Sequence, residues 1–242
     1  MLIRLNKFLA DSGCCSRRKA DERILAGDIE INGNVVRELG TKVEPERDIV
    51  KFKGSVVTKP VEPIYYALNK PRGVISTASD EQGRPTVVDL VPSEPRVYPV
   101  GRLDEDSEGL ILLTNDGELA QQLTHPSFEH EKEYEVSIRI MNKELGIRDD
   151  KEKIIKNQFE HGLLIDRKMM KADSANASLI HDSRFMIRVV LHTGRNRQIR
   201  KMCDKMGLEV ETLRRIRIGK LTLDSLNIPS GKYKKISKNQ IL

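Results

Sequence analysis

Leu110-Ile111-Leu112-Leu113 is an unbroken apolar run in a chain where 32% of residues are charged. It has strand length, and Asn115-Asp116-Gly117 closes it with turn chemistry, so it reads as a strand of a buried sheet. Upstream, residues 96–100 read as a second strand. Between the two lies a short acidic loop containing Asp104, Glu105, Asp106 and Glu108. Arg102 and Asp104, two residues apart, are therefore presented at the edge of a buried sheet, where a carboxylate can do chemistry.

The 242 residues have room for one large domain, or for a small domain plus a medium one. No window approaches the roughly 18 apolar residues of a membrane span. The N-terminal segment lacks the longer apolar core of a signal peptide. Cytoplasm is the expected compartment. Three cysteines, Cys14 and Cys15 adjacent, make neither a disulfide framework nor a zinc spacing, and the five histidines are scattered. No metal is expected. The absence of Gly-rich dinucleotide and Walker signatures argues against nucleotide cofactors, and none is expected.

Net charge is +6, and residues 195–220 alone hold nine Lys/Arg against three Asp/Glu. A second basic set, Arg4, Lys7, Arg17, Arg18, Lys19 and Arg23, lies near the N-terminus. Charge runs are often only solvated surface. Two separate clusters favour a polyanion, and nucleic acid is the expected partner.

Residues 1–58 read as a small module. Leu5, Phe8 and Leu9 give one helical face, ended by Asp11-Ser12-Gly13. Ser16 is an N-cap candidate for a second helix, with Ala20, Ile24 and Leu25 inward and Gly27 as its stop. Ile29 to Val36 alternates around Asn32-Gly33, a hairpin signal. Val43 and the pair Ile49, Val50 suggest further short strands. Lys59-Pro60-Val61-Glu62-Pro63 is a proline-punctuated linker. Tyr65 onward reads as a strand running into a tight turn at Lys70-Pro71-Arg72-Gly73. Residues 77–98 are turn-rich, with a short helix over 86–90. Residues 134–140 alternate as a strand, 142–162 look like a charged exposed helix with a loop, and 163–192 return to strand patterning. Ile199, Met202, Cys203 and Met206 recur at helical spacing as a buried stripe, with Gly207 as the stop. Strands dominate and helices are interspersed without a βαβ rhythm. The expected fold is α+β, built on a mixed, mostly antiparallel sheet with flanking helices.

The block from Gly101-Arg102-Leu103-Asp104 through Gly117 resembles the catalytic motif of the RNA pseudouridine synthases, in the ribosomal-RNA branch known as the RsuA/RluB/RluE/RluF family. Lys70-Pro71-Arg72-Gly73 resembles that family's first motif, and we read it as a structural buttress for the site. Arg4-Leu5-Asn6-Lys7-Phe8-Leu9, Cys15-Ser16-Arg17-Arg18-Lys19-Ala20-Asp21 and Asn32-Gly33 resemble an S4 (α-L) RNA-binding domain. The implied organisation is an S4-like domain at 1–59, a linker at 60–63 and a catalytic domain at 64–242.

The resemblance makes Asp104 the catalytic carboxylate, acting by attack at C1′ or by removing a sugar proton. It makes Tyr134 the residue that stacks on the target base and assists proton transfer from C5. Arg200 would pair with Asp104 and hold it as the anion, with Ile199 lining the base pocket. Arg102 would help open the RNA and fill the place of the flipped base. Arg4, Lys7, Arg17, Arg18 and Lys19, with Arg195, Arg197 and Lys201, are the expected phosphate contacts.

His130-Glu131-Lys132-Glu133-Tyr134 and the segment 196–203 are most similar to the RluF and RluB members. Ribosomal RNA of the large subunit is therefore the favoured substrate, free or within a pre-ribosomal particle. Small-subunit rRNA and a tRNA anticodon stem stay open as alternatives. So does a non-catalytic RNA-binding ribosome-assembly factor. A monomer is the default, because no coiled-coil or apolar interface stripe stands out.

Overall fold

A computed structural model of the chain describes residues 1–58, 61–128, 130–141, 150–181 and 183–242. They fall into two compact units. One comprises Met1–Ile64 with Glu94–Val97 and Asn115–Gly117, and the other Tyr65–Ser93, Tyr98–Thr114 and Glu118–Leu242. Lys59 and Pro60, the first part of the expected linker, lie outside the described residues. Among those described, no helix is long and apolar enough to cross a membrane.

In the first unit, β1 (Ile3–Arg4) pairs antiparallel with β4 (Lys42–Val43). Helices α1 (Leu5–Asp11) and α2 (Arg17–Ala26) precede a small sheet. That sheet is ordered β3 (Asn34–Val36), β2 (Ile29–Ile31), β5 (Val50–Phe52) and β6 (Ser55–Val56). Ser16 caps α2 by accepting a hydrogen bond from the Lys19 amide at 3.2 Å, and Gly27 ends the helix in the left-handed region. Asn6 Nδ2 donates to Asp21 at 2.9 Å and ties the helices together.

The core of this unit gathers Leu5, Phe8, Leu9, Ala20, Ile24, Ile29, Val43 and Val50. Each of these side chains other than Ala20 stabilises by roughly 1.5–3 kcal/mol when fully buried. Leu25 was expected inside but is 56% exposed. One residue beyond Ile24 is about 100° further round the helix, and α2 offers the core only the Ala20–Ile24 stripe. Ile49 likewise lies outside β5, exposed.

The second unit is built on a nine-stranded sheet ordered β13-β14-β10-β15-β9-β7-β17, with β16 paired to β15 and β8 to β9. Its strands are β7 (Tyr65–Lys70), β8 (Tyr98–Val100), β9 (Glu108–Thr114), β10 (Lys132–Ile140), β13 (Ser174–His181), β14 (Arg184–Leu191), β15 (Leu208–Ile218), β16 (Leu221–Thr222) and β17 (Tyr233–Ile236). A separate hairpin, β11 (Leu163–Ile165) and β12 (Lys168–Met170), stands beside it. Among the described residues every pair in the large sheet is antiparallel except β9 with β15, so the fold is α+β. β8 begins at Tyr98, two residues later than expected.

β10 alternates cleanly, burying Tyr134, Val136, Ile138 and Ile140. β9 does not alternate, and residues 110–113 are all buried. Leu110 and Leu112 pack into a cluster with Leu119 and Leu123 of α3 (Gly117–Thr124), and with Leu223 and Leu226 of α6 (Leu223–Leu226) and Ile241 of α7 (Lys238–Ile241). Helix α3 was not expected. Asn115-Asp116-Gly117 reads as a turn, yet Gly117 opens the helix.

Of the segment 142–162, residues 142–149 lie outside the described residues, and the helix is α4 (Lys151–His161). It is not wholly exposed, because Ile155 and Phe159 are fully buried. Its Glu152 and Glu160 accept hydrogen bonds from the Leu179 and Ala175 amides of edge strand β13, at 2.7 and 3.1 Å. Edge donors that would otherwise invite strand addition are thereby occupied. Helix α5 (Gln198–Lys205) buries Ile199, Met202 and Cys203, while Met206 falls past its end and is only half-buried.

Candidate active site

The loop between β8 and β9 is pinned from two sides. Ser76 Oγ donates to the Leu103 carbonyl at 2.7 Å and accepts from the Leu103 amide at 3.1 Å. Lys70 is fully buried at the end of β7, and its ammonium donates to the Ser107 carbonyl at 2.6 Å and the Pro71 carbonyl at 3.0 Å. The Gly73 amide donates to the Glu105 carbonyl at 2.8 Å. The turn at residues 70–73 thus holds the acidic loop by its backbone, leaving the side chains of Asp104 and Asp106 free to face outward.

Those two carboxylates meet α5. The guanidinium of Arg197 approaches Asp104 at 3.6 Å and makes a paired contact with Asp106 at 3.3 and 3.1 Å. Arg200 donates to the Asp106 carbonyl at 3.0 Å and to Ser107 Oγ at 3.3 Å, with the Asp106 carboxylate also at 3.3 Å. The expected pairing of Arg200 with Asp104 is therefore corrected. Arg197 touches Asp104, while Arg200 grips Asp106 and Ser107 and senses Asp104 only through its charge.

The exchange has a simple geometric origin. Arg197 occupies the N-cap of α5 in a left-handed conformation that swings it back over the loop, and Arg200 lies one turn deeper. Burial raises the Asp106 carboxyl, but hydrogen bonds from Arg197 and the charges of Arg200 and Arg197 outweigh it and leave it below the usual range. Burial pushes the Arg200 guanidinium down, opposed chiefly by Asp106.

Asp104, Tyr134, Arg102, Ile199 and Arg197 share the wall of one cavity of about 260 Å³, closed on its apolar side by Leu191 and Leu213. Tyr134 is 8% exposed and Ile199 4%, whereas the Asp104 side chain keeps 30%. The arrangement is a carboxylate at the mouth of an apolar slot with an aromatic wall and a guanidinium beside it. Such a site can hold a planar base and bring an anionic oxygen to its sugar.

Arg195 also lines the cavity, and its guanidinium donates to the Met169 carbonyl at 2.6 Å. Lys201 stands apart from the cavity, paired with Asp166 at 2.6 Å. In the first unit, Arg4, Arg17, Arg18 and Lys19 are exposed and Lys7 is half-buried.

Sequence reasoning missed Asp106, Ser107 and Ser76 as organisers of the loop, and Arg197 as the direct partner of Asp104. The motif points to Asp104, but nothing in it marks Asp106 or Ser107 as the groups that Arg197 and Arg200 hold. Lys70 had a signal, since a lysine ending a strand whose residues are otherwise buried has to find acceptors.

Burial lowers the Lys70 ammonium to about 8, against the pull of Asp106, Asp104, Glu105 and Glu108. Below pH 8 both folded and unfolded chains carry this proton. Between about 8 and the ordinary lysine value near 10.4, only the unfolded chain does. Unfolding then takes up a proton, so stability gains up to ~1.4 kcal/mol per pH unit from this group. Urea unfolding of wild type and Lys70→Met from pH 7 to 10 should show the difference moving in favour of wild type. Parallel curves would refute the assignment.

Residues 64–205 match the RNA pseudouridylate synthase family, and residues 3–49 match the S4 domain. The ribosomal large subunit pseudouridine synthase B of Bacillus subtilis is 39% identical over 243 residues, spanning 98% of this chain and 93% of that one. The dual-specificity RNA pseudouridine synthase RluF of Escherichia coli K12 is 36% identical, spanning 99% of this chain and 77% of that one. A crystal structure of a pseudouridylate synthase superposes with a TM-score of 0.64 at 27% identity, covering 99% and 98% of the two chains. This chain, with its acidic loop set against an aromatic, guanidinium-flanked slot, belongs to the RNA pseudouridylate synthase family and carries an S4 domain at its N-terminus.

Proposed function

We propose that this synthase isomerises a specific uridine of 23S large-subunit ribosomal RNA, with Asp104 as its catalytic carboxylate. The observation that carries the proposal is the cavity shared by Asp104, Tyr134 and Ile199, with Arg197 against the carboxylate. In the reaction the N1–C1′ bond breaks, the uracil turns, C5 bonds to C1′, the C5 proton leaves to water and the freed N1 ends up carrying a proton. The product is an isomer, so no electrons are gained or lost. Asp104 acts on the ribose, by attack at C1′ or by taking a sugar proton. Tyr134 stacks on the uracil and its hydroxyl moves the C5 proton, and Ile199 packs on the base. Arg200 acts through Asp106 and Ser107 to hold the loop.

A uridine inside a stack is out of reach, so it must be extruded, and Arg102 fills the vacated place. Residues 1–59 serve as the RNA-binding domain, with Arg4, Lys7, Arg17, Arg18 and Lys19 on the phosphates, and residues 64–242 as the catalytic domain. Arg195 and Lys201 extend the phosphate contacts once RNA displaces their present partners. The enzyme works as a monomer in the cytoplasm, on free rRNA or on an assembling subunit. The large-subunit assignment draws on the name of the 39% identical Bacillus relative. The dual-specificity name of the 36% identical Escherichia coli relative keeps a second RNA in view as a substrate.

Ribosomal RNA tritiated at uridine C5 should release tritium to water on incubation with the protein. Tyr134→Phe should retain RNA binding and lose about 10²–10⁴-fold in turnover, the range of a general acid–base group. Absence of release from 23S, 16S and tRNA alike would overturn the proposal.

A further inference from the structure

A second cavity, of about 430 Å³, adjoins the first. Arg102, Tyr134, Gly194 and Arg195 belong to the walls of both, but Asp104 lines only the first. Its size falls within the roughly 300–1,000 Å³ of small-molecule sites. Leu112, Leu123 and Ile218 give it apolar walls.

Its charge is one-sided. Arg102, Lys132, Arg195 and Arg215 line it, and no Asp or Glu does among the described residues. Arg215 is 3% exposed; its Nε donates to the Leu110 carbonyl at 2.7 Å, but its buried Nη2 has no hydrogen-bond partner among the described residues. Among the described residues no carboxylate ion-pairs with it. Lys132 donates to the His130 carbonyl at 2.9 Å and feels both burial and the charge of Arg215, which together push its ammonium down.

Two cations brought together out of water, one with an unused donor, cost stability unless something answers them. The complement is a ligand with a flat apolar body and acceptor oxygens or ring nitrogens. One RNA nucleotide has this chemistry, and the shared walls leave it adjacent to whatever fills the first cavity.

We propose that this cavity binds an unpaired nucleotide flanking the target uridine in the same RNA strand, with Arg215 Nη2 and Lys132 donating to acceptor atoms of its base or its phosphate. The inference rests on the first cavity being the uridine site. It deepens that reading by making recognition depend on two extruded residues instead of one.

The test uses short rRNA hairpins that the full-length protein converts. In one series the nucleotide 5′ or 3′ to the target is made abasic, and in another its phosphate is replaced by a neutral methylphosphonate. Loss of a charge-assisted hydrogen bond should raise KM about tenfold or more, with kcat within about twofold. An effect of the abasic change identifies the base as the bound group, and an effect of the methylphosphonate identifies the phosphate. Lys132→Met should already show the raised KM on unmodified RNA and respond less than about twofold to the same change. Thr124→Trp, a substitution at an exposed position on the rim of this cavity alone, should behave likewise and guards against a folding defect in the first variant.

If wild type converts the hairpins and none of the four flanking changes alters KM, this proposal is overturned while the uridine site stands. If wild type converts no RNA, the uridine reading fails and takes the second site with it.

Discussion

Asp104→Asn is expected to lower tritium release from uridine-labelled rRNA by on the order of 10⁴-fold or more, the scale seen when the reacting group of an enzyme is removed. The substitution is nearly isosteric, and the backbone of the loop does not depend on the carboxylate. Ser76 holds Leu103, Lys70 holds Ser107, and Arg200 holds Asp106 and Ser107. Asp104 itself contributes only a 3.6 Å approach to Arg197, which keeps two shorter contacts to Asp106. Stability should therefore change by less than about 1 kcal/mol. RNA binding, carried by cationic surfaces and weakened by salt, should persist or tighten slightly as one negative charge disappears. This separation of turnover from binding tells an enzyme from an RNA-binding assembly factor. A variant that binds equally well and releases tritium at the wild-type rate would remove Asp104 from the chemistry.

Much of this arrangement is legible before any coordinates, and the reasons are local. Ser16 and Gly27 bracket α2 because capping and left-handed termination are properties of single residues. Asn32-Gly33 turns β2 into β3 for the same kind of reason. Leu110 to Leu113 announce a buried strand by composition alone. Leu25 fails because periodicity gives the direction of a face and not the width of the surface it meets, and Met206 because the helix stops one residue before it. Helix α3 fails because Asn115-Asp116-Gly117 serves a helix start as well as a turn.

At the site, position in a motif points to Asp104, Tyr134 and Ile199, and the three line one cavity. It does not reveal which arginine reaches which carboxylate. That depends on the left-handed backbone at Arg197, a conformation an isolated arginine gives no reason to expect. Arg215 is legible only in three dimensions. In sequence it is one of nine basic residues between 195 and 220, and its burial follows from the register of β15 against β9 and β10.

That same register makes Gly109→Ala the most damaging conservative substitution expected in the second unit, at more than about 4 kcal/mol. Gly109 stands opposite Arg215 in the parallel pairing of β9 with β15. Its φ is +104°, and a Cβ there would run into the Arg215 carbonyl oxygen and lie 2.7 Å from its amide nitrogen. Neither atom can retreat easily, because the opposite edge of β15 is paired along β10 and the Arg215 side chain is tied to Leu110. Gly231 is the matched control. Its φ is +75° with nothing within 4 Å of a built Cβ, so Gly231→Ala should cost only the ~1–2 kcal/mol of a left-handed backbone.

The damage at Gly109 should also reach the chemistry. Two residues upstream, Ser107 accepts from both Lys70 and Arg200, and a shifted β9 moves the loop that carries Asp104. Urea unfolding of the two variants, with tritium release measured on the folded fraction, decides the matter. Equal losses of stability in Gly109→Ala and Gly231→Ala would mean that the close approach of β9 to β15 is not what fixes this glycine, and that the loop is held by its side-chain contacts alone.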